Sequence, residues 1–97
     1  MIRILIADDH AIVRAGLKQF VADQADMTVV GEAATGAETV SLVRTEPYDV
    51  VLLDISMPDR NGVDTLKQLK QIRPEMPVLM LSAHARARLR ASRKEEP

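Results

Sequence analysis

The stretch YDVVLLDISMPDRNG, residues 48–62, decides the fold. Val50, Val51, Leu52 and Leu53 form an unbroken apolar run, the mark of a strand covered on both faces. The run ends on Asp54, and a loop with Pro58 and Gly62 follows. An isolated buried charge is expensive. An acid at the mouth of a core strand therefore either reaches water or has a positive partner.

Other segments repeat the pattern. Ile4-Leu5-Ile6-Ala7 is a short apolar run that stops at Asp8-Asp9. From residue 11 to about 23, Val13, Leu17, Phe20 and Val21 recur at helical spacing. Thr28-Val29-Val30, with Ala33 and Ala34, reads as a second strand. Thr35-Gly36 opens a second helix with Ala37, Val40 and Val43 on one face, and Pro47 stops it. The third strand covers 49–53. Val63, Leu66, Leu69 and Ile72 mark a third helix ending before Pro74, and residues 77–81 are a fourth strand. The order is β-α-β-α-β-α-β with strands apolar throughout. This predicts an α/β domain with a parallel sheet, helices on both faces and right-handed crossovers.

The chain has 97 residues, enough for one small domain. Phe20 and Tyr48 are its only aromatic residues, so the core must be aliphatic. A net charge of -1 argues against a chain that binds nucleic acid electrostatically as a whole. The absence of cysteine excludes disulfides and thiolate metal sites. There is no apolar stretch long enough to span a membrane and no signal-peptide pattern, so a cytoplasmic location is expected.

In such sheets the binding crevice lies beyond the carboxyl ends of the strands. Asp8, Asp9, Asp54 and Ser82 all fall at strand carboxyl ends. Three carboxylates in one crevice repel each other, and a hard divalent cation relieves that repulsion. Carboxylate ligands with waters suit magnesium. A carboxylate can also act as a nucleophile and form an aspartyl-phosphate. Asp54, alone at the end of the central strand, is the candidate nucleophile, and Asp8 and Asp9 are the candidate metal ligands. The backbone carbonyl of Ser56 is a further candidate ligand, and Ser82 is placed to hydrogen-bond a phosphoryl oxygen. His10 and His84 are expected on the surface, and Asp59 is expected only to serve its turn.

In this order and spacing, ILIADDH, VVLLDISMPDRNG and VLMLSAH resemble the receiver domain of bacterial two-component response regulators. The wording is most similar to the subgroup with a LuxR-type DNA-binding output domain. The resemblance covers residues 2 to about 84. It implies a three-layer flavodoxin-like fold with strand order 2-1-3-4. It implies that Asp54 accepts a phosphoryl group from a sensor histidine kinase or a small acyl-phosphate donor. Asp8, Asp9, Asp54 and the Ser56 carbonyl then bind Mg2+, and Ser82 moves toward the phosphoryl group on activation. Met57, Pro58 and Gly62 shape the following loop, and the kinase docks around residues 11–17. Such a module assists its own phosphorylation and is not a turnover enzyme.

The departures from the family carry expectations of their own. Its members continue with a fourth helix, a fifth strand ending in a lysine that contacts the phosphoryl group, and a fifth helix. Here residues 85–97, ARARLRASRKEEP, turn basic and carry one large apolar residue, Leu89. The domain is therefore expected to span 1–84, truncated, with 85–97 as a basic helical or flexible tail of native or frame-changed origin. No lysine matches the family position, and losing one such electrostatic donor costs on the order of 3 kcal/mol in rate. The fourth strand becomes an exposed apolar edge, which predicts a homo-oligomer through it. DNA contact is expected only through an output domain that the 97 residues lack. The rival reading is a phosphorylation-impaired receiver remnant that serves as a dimerisation or interaction module.

Overall fold

The computed structural model describes residues 1–81. The expectations for Ser82, His84 and the 85–97 tail lie outside the described residues. The elements are β1 (Ile2–Ala7), α1 (Ala11–Ala22), β2 (Met27–Ala33), α2 (Gly36–Thr45), β3 (Val50–Asp54), α3 (Gly62–Ile72) and β4 (Val78–Leu81). All strand pairs are parallel, in the order β2-β1-β3-β4. The expected topology is the observed one.

Alternation along β1 sorts the core into two layers. Ile4 and Ile6 pack with Val13, Leu17 and Val21 of α1. Leu5 and Ala7 face the other way and pack with Val40 and Val43 of α2 and Leu69 of α3. The sheet is thus sandwiched between α1 on one side and α2 with α3 on the other. The register of β1 against β2 slips between Ile4 and Leu5, so that Ile4 pairs with Val29 and Leu5 with Gly31. Val30 is the extra residue, and it turns outward.

Three apolar residues assigned to inward helix faces lie outside, among them Ala37 at the start of α2. Phe20 is 53% exposed and Val63 is 50% exposed. The buried stripe of α1 runs Val13, Leu17, Val21, a strict four-residue repeat, and Phe20 falls on its flank. Phe20 instead joins Ile2 and Leu79 in lining an apolar groove of about 630 Å³ between α1 and β4. In α3 the fully buried positions are Thr65 and Leu69, one turn apart on a stripe that Val63, two residues before Thr65, lies off. Among the described residues β4 is an edge strand, and its Leu79 is 57% exposed. No helix among the described residues is long and apolar enough to cross a membrane.

Candidate functional site

The chain's path brings β1 and β3 together at the centre of the sheet. From β1 the first crossover leads outward to β2. The second returns past β1 to β3, so the direction of winding reverses between β1 and β3. Open α/β sheets bind their ligands at such a switch point. Ala7 pairs with Leu53, so the next residues, Asp8 and Asp54, leave from adjacent strand ends. Both are fully buried, while the Asp9 side chain is 26% exposed. Asp8, Asp9, His10 and Asp54 each offer a ligand atom, and these atoms all lie within 4.8 Å of one another.

Local bonds hold each group. The Asp8 N–H donates to the Ala33 carbonyl at 3.0 Å, and Arg14 Nη1 donates to the Asp8 carbonyl at 2.6 Å. Arg14 Nε also donates to Glu32 at 3.2 Å, and Lys18 Nζ donates to the other Glu32 oxygen at 3.0 Å. The Lys18 bond, with Arg14 behind it, holds the Glu32 carboxyl below its ordinary range. Asp54 Oδ1 accepts from the Ser56 N–H at 2.9 Å and from the Ser56 hydroxyl at 2.8 Å. This Asx-type turn fixes the rotation of the Asp54 side chain. His10 curls back over the acid pair. Its N–H donates to Asp8 Oδ1 at 2.8 Å, and its Nδ1 lies 3.1 Å from Asp8 Oδ1 and 3.0 Å from Asp9 Oδ1.

The loop after β3 is anchored at several points. Met57 is buried in the layer beneath α2 and α3. Asn61 caps α3 through a 2.7 Å bond from the Val63 N–H. Asp59 does more than serve its turn. Its two oxygens accept from the N–H groups of Gly36 and Ala37, at 2.8 and 3.0 Å, at the start of α2. Those bonds, the Gly36 one first, hold the Asp59 carboxyl below its usual range. Thr35 satisfies the next N–H, that of Glu38, at 3.1 Å. The Glu38 side chain accepts from the Ala34 N–H at 2.8 Å, one residue before the Thr35 N-cap, which ties the entering chain to the first turn of α2.

The expected acids are thus brought together. Ser56 stands against Asp54 through its N–H and hydroxyl, whereas sequence reasoning assigned it only a carbonyl. Ser82 lies outside the described residues, although Asp54 pairs with Leu81, the residue before it. Sequence reasoning placed His10 on the surface, where it lies, without its contacts to the acids; it gave Asp59 only its turn and passed over Arg14. Only His10 left a signal, its place directly after two acids at a strand end. The donor set, hard carboxylate oxygens in one buried crevice, fits a magnesium-type dication, which relieves their mutual repulsion.

A parallel 2-1-3-4 sheet with an acid pocket at its switch point defines a receiver-type α/β domain. Residues 4–95 match the response regulator receiver domain family, and the chain belongs to it. It is 42% identical over 83 residues to the uncharacterised transcriptional regulatory protein YhcZ of Bacillus subtilis, covering 86% of this chain and 39% of YhcZ. The response regulator UvrY of Escherichia coli is 38% identical over 84 residues, covering 87% of this chain and 38% of UvrY. The chain therefore spans about two-fifths of the length of these curated relatives. Among solved structures, the response regulator domain of Thermotoga maritima CheB is similar with a TM-score of 0.81 at 35% identity, over 92% of this chain and 72% of that one. RcsB of Salmonella enterica, solved bound to promoter rprA in the presence of phosphomimetic BeF3-, has a TM-score of 0.79 at 26% identity, over 84% of this chain and 43% of that one.

Proposed function

We propose that this receiver is the phosphoacceptor module of a two-component system and that Asp54 takes the phosphoryl group. The observation that carries the reading is the convergence of Asp8, Asp9 and Asp54 within 4.8 Å at the switch point. In the reaction an Asp54 oxygen bonds to phosphorus. The P–N bond of a kinase phosphohistidine, or the P–O bond of a small acyl phosphate, breaks and the donor leaves. Ser56 holds the Asp54 side chain in one orientation for attack. Asp8, Asp9, Asp54 and the Ser56 carbonyl are assigned to a Mg2+ ion, which supplies positive charge against the transferring phosphoryl oxygens. Ser82, outside the described residues, is assigned to hydrogen-bond a phosphoryl oxygen. Arg14 locks the backbone of Asp8 and so keeps the acid pair in place.

The partners follow from the same reading. A sensor histidine kinase charges Asp54, and residues 1–84 are the receiver unit. The exposed β4 edge with Leu79 favours a homo-oligomer. The RcsB structure with promoter and phosphomimetic supports a link from phosphorylation to transcription through an output domain. A cytoplasmic site of action and a role without steady turnover complete the proposal. Acetyl phosphate with Mg2+ should add one phosphate to the wild-type chain by intact-mass spectrometry and none to Asp54→Asn. An unmodified wild type, or a phosphate retained in Asp54→Asn, removes the reading.

A further inference from the structure

We infer that Glu32, on β2, is a positioning residue for the cation site, acting through Arg14 on the peptide that joins Asp8 to Asp9. The inference rests on the cation site proposed above and concerns what fixes its two neighbouring acids.

Pairing of β1 with β2 stops at Ala7 and Ala33. Just beyond, the Asp8 N–H still reaches the Ala33 carbonyl at 3.0 Å. The Asp8 carbonyl takes its donor from a side chain instead, Arg14 Nη1 at 2.6 Å. That carbonyl belongs to the peptide linking Asp8 to Asp9. A peptide unit is planar, so holding its oxygen restricts how the two acids turn relative to each other.

A long side chain loses rotamer freedom when it is fixed, so Arg14 needs a hold of its own. Glu32 supplies it. One Glu32 oxygen accepts from Arg14 Nε at 3.2 Å, and the other accepts from Lys18 Nζ at 3.0 Å. Arg14 and Lys18 stand four residues apart on α1, so they reach one carboxylate from the same face of the helix. The guanidinium is planar and its donors form a rigid fork. With Nε turned to Glu32, the direction of Nη1 toward Asp8 is set. An exposed ion pair by itself contributes little. This pair differs because Arg14 is only 20% exposed and its other end is bonded to the site. Two successive residues of β2 thus hold Asp8 from both sides, Ala33 directly at its N–H and Glu32 through Arg14 at its carbonyl.

The test uses the full 97-residue chain as wild type, Arg14→Ala, Glu32→Ala, Glu32→Gln and the double variant Arg14→Ala with Glu32→Ala, each titrated calorimetrically with Mg2+. Glu32→Ala should lose about tenfold in Mg2+ affinity. Glu32→Gln keeps an oxygen for Arg14 Nε and should recover most of that loss. In the Arg14→Ala background, Glu32→Ala should cost nothing further, because the two residues act in series. A second readout needs no cation. The Asp9 N–H shares its peptide with the Asp8 carbonyl and is polarised by the bond that carbonyl accepts. Arg14→Ala and Glu32→Ala should therefore move the Asp9 amide resonance in the same direction. Unchanged Mg2+ affinity in Glu32→Ala, no recovery in Glu32→Gln, a full further loss in the double variant, or an Asp9 amide that Glu32→Ala leaves unmoved overturns the inference alone. The Glu32 variants decide the matter even if Arg14→Ala does not fold. A wild type that binds no Mg2+ overturns the cation site itself and the inference with it.

Discussion

Replacing Asp59 by alanine tests whether the loop after the phosphoacceptor strand is tied to α2. The Asp59 carboxylate accepts from two α2 N–H groups, at 2.8 Å from Gly36 and 3.0 Å from Ala37. Helix N-termini leave such donors without intrahelical partners, and losing a cap costs about 1 kcal/mol. The negative charge at the positive end of the helix contributes about 0.5 kcal/mol more. The Asp59 side chain is 28% exposed and the bond from Ala37 is open to water, so part of the loss is recovered by hydration. The expected destabilisation of Asp59→Ala is therefore about 1–1.5 kcal/mol near neutral pH. The assay is urea unfolding followed by far-ultraviolet circular dichroism, because the chain has no tryptophan.

The pH dependence fixes the sign. The folded-state pKa of Asp59 lies below its ordinary value of 3.8. A depressed carboxyl contributes stability that is complete above the unfolded value and disappears as pH falls through the folded one. The gap between wild type and Asp59→Ala should be constant above about pH 5 and shrink below about pH 4. Asp59→Asn should fall between the two, since an amide oxygen keeps one acceptor and loses the charge. A variant within about 0.5 kcal/mol of wild type at neutral pH, the range of an ordinary surface change, refutes the tether. A gap that widens on acidification refutes the electrostatic part.

Two further perturbations probe the same framework. A Cβ on Gly62 would lie 2.6 Å from Ile55 Cα and 2.8 Å from the Ile55 carbonyl oxygen, so backbone must move. Gly62→Ala should therefore cost about 1–3 kcal/mol in thermal or urea unfolding, and unchanged stability would show that the 55–61 loop yields freely. Leu79→Lys places a charge on the exposed outer strand beside the apolar groove. If copies associate through β4, wild type should sediment as more than a monomer at micromolar concentration and Leu79→Lys as a monomer. A monomeric wild type removes that association.

Much of the architecture is local information. The apolar runs at 4–7, 50–53 and 78–81 are continuous, and the helices between them repeat every three to four residues. Those periods, with Pro47 and Pro74 as stops, specify element type, order and a parallel sheet. They also place Asp8, Asp9 and Asp54 at strand ends, because each acid terminates its apolar run. What periodicity does not carry is the direction a side chain takes at an element's end or flank. Phe20 satisfies the helical spacing, yet a shift of one position around α1 leaves it in the groove.

From its residues alone, this chain specified four strands, three helices and acids at the strand mouths, since hydrophobic period and turn chemistry act over a few neighbours. Only tertiary packing decided that Asp8 and Asp54 stand side by side, that His10 turns onto the acids and that Asp59 reaches across to α2. Those contacts depend on strand register and loop path, and the energy that sets both is spread over the whole sheet and its two helical layers rather than held in any local stretch.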